Sequence, residues 1–437
     1  MRTIKSNKSP WWWVPTLYFA EGVPYFVVNN ISVIMFTRMG MPKGEMALYT
    51  SLLYLPWVIK PLWSPFVDII KTKRWWIIAT QILMSISFAL LALSLPHPSA
   101  ELIESSVVSI SIFSISLILF WITALASATH DIAADGFYML ALNQHEQSLF
   151  VGIRSTFYRL SSLFGQGVLV VVAGLLETRL GDIPIAWKLS LVITAVLFAA
   201  LTIYHSFALP KPKEDVQRHN VLTARQILDD FRKIFISFFK KKQVLVAILF
   251  MLLYRLPEAL LLKMINPFLL DPISRGGLGL STTSVGLIYG TIGIIALTLG
   301  GILGGIFASK WGLKKSLWPM ALSLTLPCLC FVFLSILQPE NLWLIGGCVA
   351  LDQFGYGFGF TAYMLYLIYF SEGEFKTAHY SLCTAFMALS MMLPGMVAGY
   401  LQESLGYVNF FWVVMAACLV TVAVIFNIKV DPKFGKK

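Results

Sequence analysis

The feature that most constrains the fold is the recurrence of long apolar windows. A helix needs about 20 apolar residues to cross the hydrocarbon core of a bilayer, and windows of that length occur twelve times in the 437 residues. Their approximate bounds are 13–36, 47–67, 75–95, 107–142, 150–176, 186–209, 244–270, 282–308, 316–338, 341–370, 378–401 and 407–428. Hydrophobic residues make up 57% of the chain and charged residues 13%, unlike a soluble globular domain. The sequence therefore predicts an all-α integral membrane protein with twelve transmembrane helices.

The distribution of basic residues predicts the orientation. On the side that holds both termini, the tails and loops carry 23 Lys and Arg residues, against five on the other side. Since basic loops stay in the cytoplasm, both termini and residues 210–243 are expected to be cytoplasmic. The net charge of +11 resides in these short loops, so no nucleic-acid partner is predicted.

An internal repeat divides the chain into two parts. Three segments recur at an offset of 225 residues, beginning at Tyr138 and Tyr363, at Ala173 and Ala398, and at Trp187 and Trp412. This predicts two parallel six-helix halves, residues 1–209 and 244–437. In the linker 210–243, Thr223 is expected to cap an amphipathic helix with this apolar stripe: Ile227, Phe231, Ile234, Phe235 and Phe238.

Two carboxylates stand out in the apolar segment around Ser127–Tyr138. Asp131 and Asp135 are four residues apart and share a helical face, and each buried charge costs about 2.5–3.5 kcal/mol on insertion scales. Such residues face a water-filled cavity or find partners, although simple pairing between helices is the alternative. Three further carboxylates lie within predicted spans: Glu21, Glu258 and Asp352. We predict that these five acids handle protons, because neighbouring carboxylates oppose each other's ionisation.

The basic and aromatic residues within spans suggest an anionic or sugar-containing cargo. The candidates for substrate binding are Lys60, His130, Arg154, Arg159, Tyr356 and Tyr363. Basic side chains bind anionic groups, and tyrosines at helical spacing stack on sugar rings. Packing is the alternative for the tyrosines, and His130 points about 100° away from Asp131. For Arg255 and Lys263 we expect pairing with carboxylates alone.

Two six-span halves joined by a cytoplasmic linker resemble the major facilitator superfamily. The loop with Asp68, Lys73 and Arg74 is similar to that superfamily's latch between spans 2 and 3. The resemblance implies that spans 1, 4, 7 and 10 line a central cavity, and all five acids lie on those spans. It also implies alternating access without a cofactor other than the proton gradient, and we expect a monomer.

Finer motifs resemble AmpG-type muropeptide permeases and the wider family that includes acetyl-CoA transporters. They are Phe19-Ala-Glu-Gly-Val-Pro24, Lys60-Pro-Leu-Trp-Ser-Pro65, Ser127-Ala-Thr-His-Asp-Ile-Ala-Ala-Asp135, Tyr158-Arg-Leu160, Leu351-Asp352 and Thr377-Ala-His-Tyr-Ser-Leu382. Lys60 and Arg159 fall at motif positions. The resemblance implies proton-driven uptake of peptidoglycan fragments (GlcNAc-anhydroMurNAc and its peptides) across a bacterial inner membrane.

Departures from these motifs leave the cargo open. The muropeptide permease pattern has Ser at Glu21, Gln at His130 and His379, and Glu at Asp352. Alternative cargoes are acetyl-CoA or another nucleotide-type anion, and GlcNAc-containing oligosaccharides. A non-transporter alternative is an intramembrane prenyltransferase-like enzyme that holds Mg²⁺ at Asp131 and Asp135, but no other span offers the second acidic pair it needs. No metal site is therefore predicted.

Overall fold

The computed structural model describes residues 9–212, 215, 224–432 and 434. This part of the chain is helical throughout and contains no strand. Nine of its segments are long and apolar enough to cross a membrane. The all-α membrane class predicted from the sequence is confirmed.

The first six spans account for the chain up to residue 208. Their α-helices are Val14–Phe26 and Ser32–Arg38 (span 1), Lys43–Leu52 and Leu55–Ile69 (span 2), Lys73–Ser94 (span 3), Ser114–Ala141 (span 4), Gln144–Ser162 and Val170–Leu180 (span 5), and Ile183–Ala208 (span 6). Spans 2 and 10 are not among the nine long apolar segments, and spans 11 and 12 form one of the nine.

The last six spans follow the linker. Their α-helices are Val244–Leu253 and Leu256–Leu270 (span 7), Thr282–Leu287 and Ile294–Trp311 (span 8), Leu313–Thr325 and Leu329–Leu337 (span 9), Leu342–Ser371 (span 10), and Lys376–Phe426 (spans 11 and 12). The last helix is interrupted at Gly406, whose φ of 72° and ψ of 170° are not helical. That break separates spans 11 and 12, so the predicted count of twelve is consistent with the structure.

Several spans contain irregular turns in the middle. Spans 1, 5 and 8 widen into π-helical turns at Val27–Ile31, Leu163–Leu169 and Ile288–Gly293. In spans 5 and 8 these turns meet, since a Cβ on Gly290 would lie 1.8 Å from the carbonyl oxygen of Gln166. A glycine there lets the two backbones touch.

The linker forms a helix at Ala224–Phe239. Phe238 is fully buried against Phe370 of span 10 and Phe386 of span 11. The Ser237 hydroxyl lies 2.9 Å from Nε2 of His379. The predicted cap Thr223, and the side chains of Ile227 and Phe231, lie outside the described residues.

A short helix between spans 3 and 4, Ala100–Ser105, was not predicted.

The end of the bundle opposite the chain termini, which we call the distal end, is tied together across the two groups of spans. Lys43 at the start of span 2 forms an ion pair of 2.7 Å with Asp271 at the end of span 7. The backbone N–H of Gly44 donates to Glu403 near the end of span 11 at 2.8 Å. A Cβ on Gly399 would lie 2.0 Å from the carbonyl oxygen of Lys43. These contacts close the distal end.

A second distal tie joins spans 1, 5 and 8. Glu177 of span 5 accepts from Arg38 of span 1 at 2.9 Å and from the Thr282 hydroxyl of span 8 at 2.7 Å. Trp187 Nε1 donates to the other carboxylate oxygen at 2.9 Å. One carboxylate therefore holds three elements of the first six spans to an element of the last six.

Candidate substrate and proton site

Span 4 places two carboxylates next to cations from neighbouring spans. Asp131 pairs with Lys60 of span 2. Asp135, one turn further along, pairs with Arg154 of span 5, and the atoms Nη2 and Oδ1 are 2.8 Å apart. Both pairs join span 4 to spans that carry no intramembrane acid of their own. The structure thus brings together four of the residues predicted from the sequence.

Tyr18 of span 1 completes the surroundings of Asp135. Its hydroxyl donates to Oδ1 of Asp135 at 3.1 Å. The guanidinium of Arg154 lies over the rings of Tyr18 and Tyr138, at 4.4 Å and 5.1 Å from their centroids. Tyr18 was not predicted as a site residue. Its position three residues before Glu21, on the same helical face, was the signal that could have found it.

Glu21 adds a third acid to this cluster. It is buried on span 1, beside Asp131 and close to Asp135. Its Oε2 is buried without a hydrogen-bond partner. At the next residue of the helix, a Cβ on Gly22 would lie 1.9 Å from the Ser161 hydroxyl, so a glycine is needed for span 1 to approach span 5. The cluster holds three carboxylates and two basic side chains.

The exposure of the two acids of this cluster differs along span 4. The side chain of Asp135 is 41% exposed, whereas that of Asp131 is 17% exposed. Span 4 runs from the distal end towards the terminal end, so Asp135 is the acid closer to the terminal end. The higher exposure of Asp135 than of Asp131 matches a cavity that is closed at the distal end and open at the terminal end.

The acid of span 7, Glu258, forms a buried ion pair with Arg255, which we call the sealed pair. Arg255 Nε and Nη2 donate to the two carboxylate oxygens of Glu258 at 2.9 Å and 2.6 Å. Nη2 also donates to the Tyr356 hydroxyl at 3.0 Å, and the guanidinium lies 4.6 Å from the ring centroid of Phe360. Both side chains of the pair are only 6% exposed. The pairing predicted for Arg255 is present.

Asp352 of span 10 lies next to this pair in a small enclosed cavity. The cavity is also lined by Glu258, Gln353 and Tyr356. Asp352 is buried and accepts a hydrogen bond of 3.1 Å from the side chain of Gln353. Within the described residues, no basic group lies within ion-pair distance of it. The predicted proton-handling acids therefore form two groups rather than one.

His130 lies away from the carboxylates. Its Nε2 is 3.0 Å from Gln81 of span 3, whose Oε1 is 3.0 Å from Nδ1 of His205 in span 6. His205 Nε2 is in turn 3.0 Å from the Thr16 hydroxyl of span 1. His130 is completely buried in this chain of contacts. In this conformation His130 has no exposed surface that a substrate could contact. Its contact with Gln81 instead holds span 4 in one orientation about its axis.

Two other predicted substrate residues occupy different positions. Tyr363 is fully buried, and its hydroxyl donates to the carbonyl oxygen of Met251 at 2.7 Å. Tyr363 belongs to span 10 and packs against span 7, so its ring face is not available to a sugar in this conformation. Arg159 is half-buried and donates to the carbonyl oxygen of Thr298 at 3.3 Å. It thus contacts span 8 across the middle of the bundle.

The predicted latch residues surround the start of span 3. The backbone N–H groups of Lys73 and Arg74 donate to the carboxylate of Asp215 at 2.7 Å and 3.0 Å. An anion at a helix N-terminus is favourable because four N–H groups there lack helical partners. Arg74 also donates to the carbonyl oxygen of Ser206 at 2.5 Å. The side chain of Asp68 lies outside the described residues.

The expectation that Lys263 pairs with a carboxylate is wrong. Its Nζ donates to the Thr50 hydroxyl of span 2 at 3.2 Å and lies 5.3 Å from the ring centroid of Tyr54. Across the described residues, no carboxylate is within ion-pair distance of it. The two acids of span 7 itself are held elsewhere, Glu258 by Arg255 and Asp271 by Lys43.

Aromatic side chains that the sequence analysis did not single out lie between the two groups of acids. Tyr25 of span 1 contacts Tyr54 and Trp57 of span 2 with ring centroids 6.3 Å and 5.1 Å apart. Tyr25 follows Glu21 by four residues and Tyr18 by seven, which places all three on one face of span 1.

Twelve spans around buried charged groups, closed at one end, form the architecture of an alternating-access membrane carrier. The model of the Major Facilitator Superfamily matches residues 16–374. The chain belongs to this family, and it is a multi-pass membrane protein and a secondary transporter rather than an enzyme.

Individual relatives agree with this assignment. The chain is 24% identical over 408 residues to the anhydromuropeptide permease of Escherichia coli K12, covering 92% of this chain and 76% of the relative. It is also 24% identical to an uncharacterised protein of Haemophilus influenzae, with 90% and 88% covered. Among solved structures, a D-xylose-proton symporter superposes with a TM-score of 0.67 at 14% identity, covering 98% of each chain. That likeness concerns the fold.

Proposed function

We propose that this transporter imports peptidoglycan fragments, GlcNAc-anhydroMurNAc and its peptides, by symport with protons. The similarity to an anhydromuropeptide permease supports the cargo. The halves 1–209 and 244–437 are proposed to move around the central site as a monomer. The positive loops support an arrangement in a bacterial inner membrane with both termini and the linker 210–243 cytoplasmic.

The observation that carries proton coupling is the charge balance of the cluster on spans 1, 2, 4 and 5. Among the described residues, the basic side chains that neutralise Glu21, Asp131 and Asp135 are two, Lys60 and Arg154. Two carboxylates close together in a poorly hydrated site do not both ionise easily, so one of the three holds a proton most readily. That proton travels with the cargo when the accessible side changes.

The same pairs link the proton to an anionic cargo. A proton taken up by Asp135 removes the charge that holds Arg154, and the guanidinium then binds a carboxylate of the cargo. In the same way, a proton taken up by Asp131 removes the charge that holds Lys60, and the ammonium becomes free to bind the cargo. Arg suits this role because its planar donors match a carboxylate. Release of the proton on the other side restores the internal pair and displaces the cargo.

Uptake by the purified full-length protein in proteoliposomes tests the proposal. GlcNAc-anhydroMurNAc, a GlcNAc disaccharide and acetyl-CoA are compared, each with and without an imposed pH gradient that is acidic outside. We expect concentrative uptake of the muropeptide that collapses when a protonophore is added. Uptake of acetyl-CoA or of the neutral disaccharide alone would replace the proposed cargo, and uptake that ignores the pH gradient would refute symport.

Reporter fusions test the proposed orientation. A reporter that is active only in the cytoplasm is fused after Lys437 and inserted within residues 210–243. We expect activity from both fusions. A periplasmic signal from either fusion would reverse or refute the orientation.

A further inference from the structure

Lys263 is a buried cation without an anion. Only 4% of the residue is exposed, and its Nζ has the Thr50 hydroxyl and the ring of Tyr54 as neighbours. The Thr50 hydroxyl itself donates to the carbonyl oxygen of Met46 at 2.6 Å, so it offers Lys263 a lone pair. One hydroxyl and one ring face replace the hydration shell of an ammonium poorly. The distal-closed arrangement therefore penalises the charge of this side chain.

The surroundings of Lys263 contain a second unsatisfied polar group. The Ser51 hydroxyl is buried and has no hydrogen-bond partner. A Cβ on Gly395 of span 11 would lie 2.4 Å from that hydroxyl and 3.2 Å from Cε of Lys263. Ser51, Gly395 and Lys263 thus pack in direct contact, and the closed arrangement leaves no room for a ligand.

This contact lies in the interface that must separate for the distal end to open. Lys263 is on span 7, Thr50 and Ser51 are on span 2, and the same two spans are joined nearer the surface by Lys43 and Asp271. When span 2 moves away from spans 7 and 11, the ammonium and the hydroxyl groups become accessible from the distal side together. The ammonium of Lys263 and the unpartnered Ser51 hydroxyl can each donate a hydrogen bond to a carboxylate, whereas the Thr50 hydroxyl keeps its donor on Met46.

We propose that Lys263, with the Ser51 hydroxyl, forms an anion-binding position that exists only while the distal end is open. It receives a carboxylate of the incoming cargo, and closure returns span 2 and Gly395 to the space that the carboxylate occupied. Closure therefore displaces the anion towards Lys60 and Arg154. The assignment of the anion as a carboxylate of the cargo rests on the proposed function.

Transport kinetics test the position with two forms of one cargo. The full-length protein and its Lys263→Gln and Lys263→Arg variants are compared in proteoliposomes with GlcNAc-anhydroMurNAc and with its methyl ester, which lacks the negative charge. We expect Lys263→Gln to raise KM for the acid about tenfold or more with little change in Vmax, because a charge-assisted hydrogen bond is lost. KM for the ester should stay within about twofold, and Lys263→Arg should keep most of the affinity.

Two kinetic outcomes would overturn the proposal. An equal rise in KM for acid and ester, or a loss of Vmax for both, would assign Lys263 a purely structural role. An unchanged KM for the acid in Lys263→Gln would show that no anion binds there.

Chemical labelling tests the position without a transport measurement. An impermeant amine-reactive reagent is applied from the distal side to the parent and to Gly399→Val, in which distal closure is obstructed, and modified peptides are identified by mass spectrometry. Lys188 near the distal end serves as the reference amine. We expect Lys263 to be modified severalfold more in Gly399→Val, and N-acetylmuramic acid, but not GlcNAc, to protect it. A parent that transports neither cargo form would refute the proposed function. An unmodified or unprotected Lys263 beside a modified Lys188 would refute the anion position.

Discussion

The two groups of intramembrane acids differ in how completely they are neutralised and how much water reaches them. On spans 1 and 4, three carboxylates share two cations, and the side chain of Asp135 is 41% exposed. On spans 7 and 10, the Arg255–Glu258 pair is only 6% exposed and is closed further by Tyr356. Both groups contain Asp, Glu and Arg. The difference in exposure and charge balance is the reason why we propose proton exchange at the first group.

The comparison teaches that a buried acid in a membrane helix has two possible uses. A carboxylate that is held by a bidentate Arg and buried together with it fixes the local structure. For carboxylates that outnumber their cations and are more exposed, we propose that they gain and lose a proton during the cycle. The following predictions start with the change expected to have the largest free-energy effect.

Breaking the sealed pair should have the largest effect. In Glu258→Gln, Arg255 is left as a buried cation without a carboxylate, and removal of one partner of a buried pair destabilises proteins by about 3–5 kcal/mol. We expect a large drop in the melting temperature of the purified protein in detergent. The double variant Arg255→Met with Glu258→Leu is the control and should recover most of the stability. A parent-like melting temperature for Glu258→Gln would contradict the sealed-pair interpretation.

The second prediction concerns Asp131 and Asp135, which we propose exchange protons. A pH gradient of one unit drives up to about tenfold accumulation when one proton is coupled. In Asp131→Asn or Asp135→Asn we expect the accumulation ratio to fall to about 1, while exchange of cargo down its own gradient persists, because a neutral amide closes around cargo without carrying a proton. Uptake of radiolabelled cargo with and without the pH gradient measures the accumulation ratio and the exchange.

Asp352→Asn is the matched variant in the last six spans. It should keep most of the accumulation, since Asp352 lies in an enclosed cavity without a basic partner among the described residues. Should Asp352→Asn lose accumulation and both span-4 variants keep it, proton coupling belongs to the last six spans.

The third prediction concerns the contacts that close the distal end above both groups of acids. A Val side chain at Gly399 collides with the backbone of Lys43, so Gly399→Val should favour the distal-open state. We expect severalfold faster labelling of a cysteine at position 51 by an impermeant thiol reagent, in a background without the native cysteines. Gly305→Val is the control, because a Cβ there meets no atom within 4 Å. Equal labelling in the two variants would show that Gly399 does not control closure.

The smallest effect is expected at an exposed pair. Lys376 and Glu372 are 3.3 Å apart, with side chains more than half exposed. Such pairs contribute about 0.5 kcal/mol or less, so Lys376→Ala should leave the melting temperature and uptake almost unchanged. A marked loss of uptake would give this loop a role in the cycle that the exposed pair does not explain.

Several parts of the site could be predicted because they depend on composition and helical spacing. Asp131 and Asp135 share a face at four residues' spacing in any α-helix, and Arg255 and Glu258 are neighbours at three. Contacts between spans could not be predicted in this way. The partners of Lys60 and Arg154, the hydroxyl of Tyr18 on Asp135 and the chain from His130 to His205 each join residues far apart in sequence.

The sequence by itself determined the class of the protein, because backbone groups in a bilayer must be satisfied within each span and apolar windows of the required length mark every crossing. Only the tertiary structure decided which buried charges are neutralised. Lys263 and Arg255 are both basic and both belong to span 7, yet Arg255 meets Glu258 and Lys263 meets Thr50. The difference arises because the rotation of span 7 and its contact with span 2 set the neighbours of each side chain, and a one-dimensional pattern does not contain that packing.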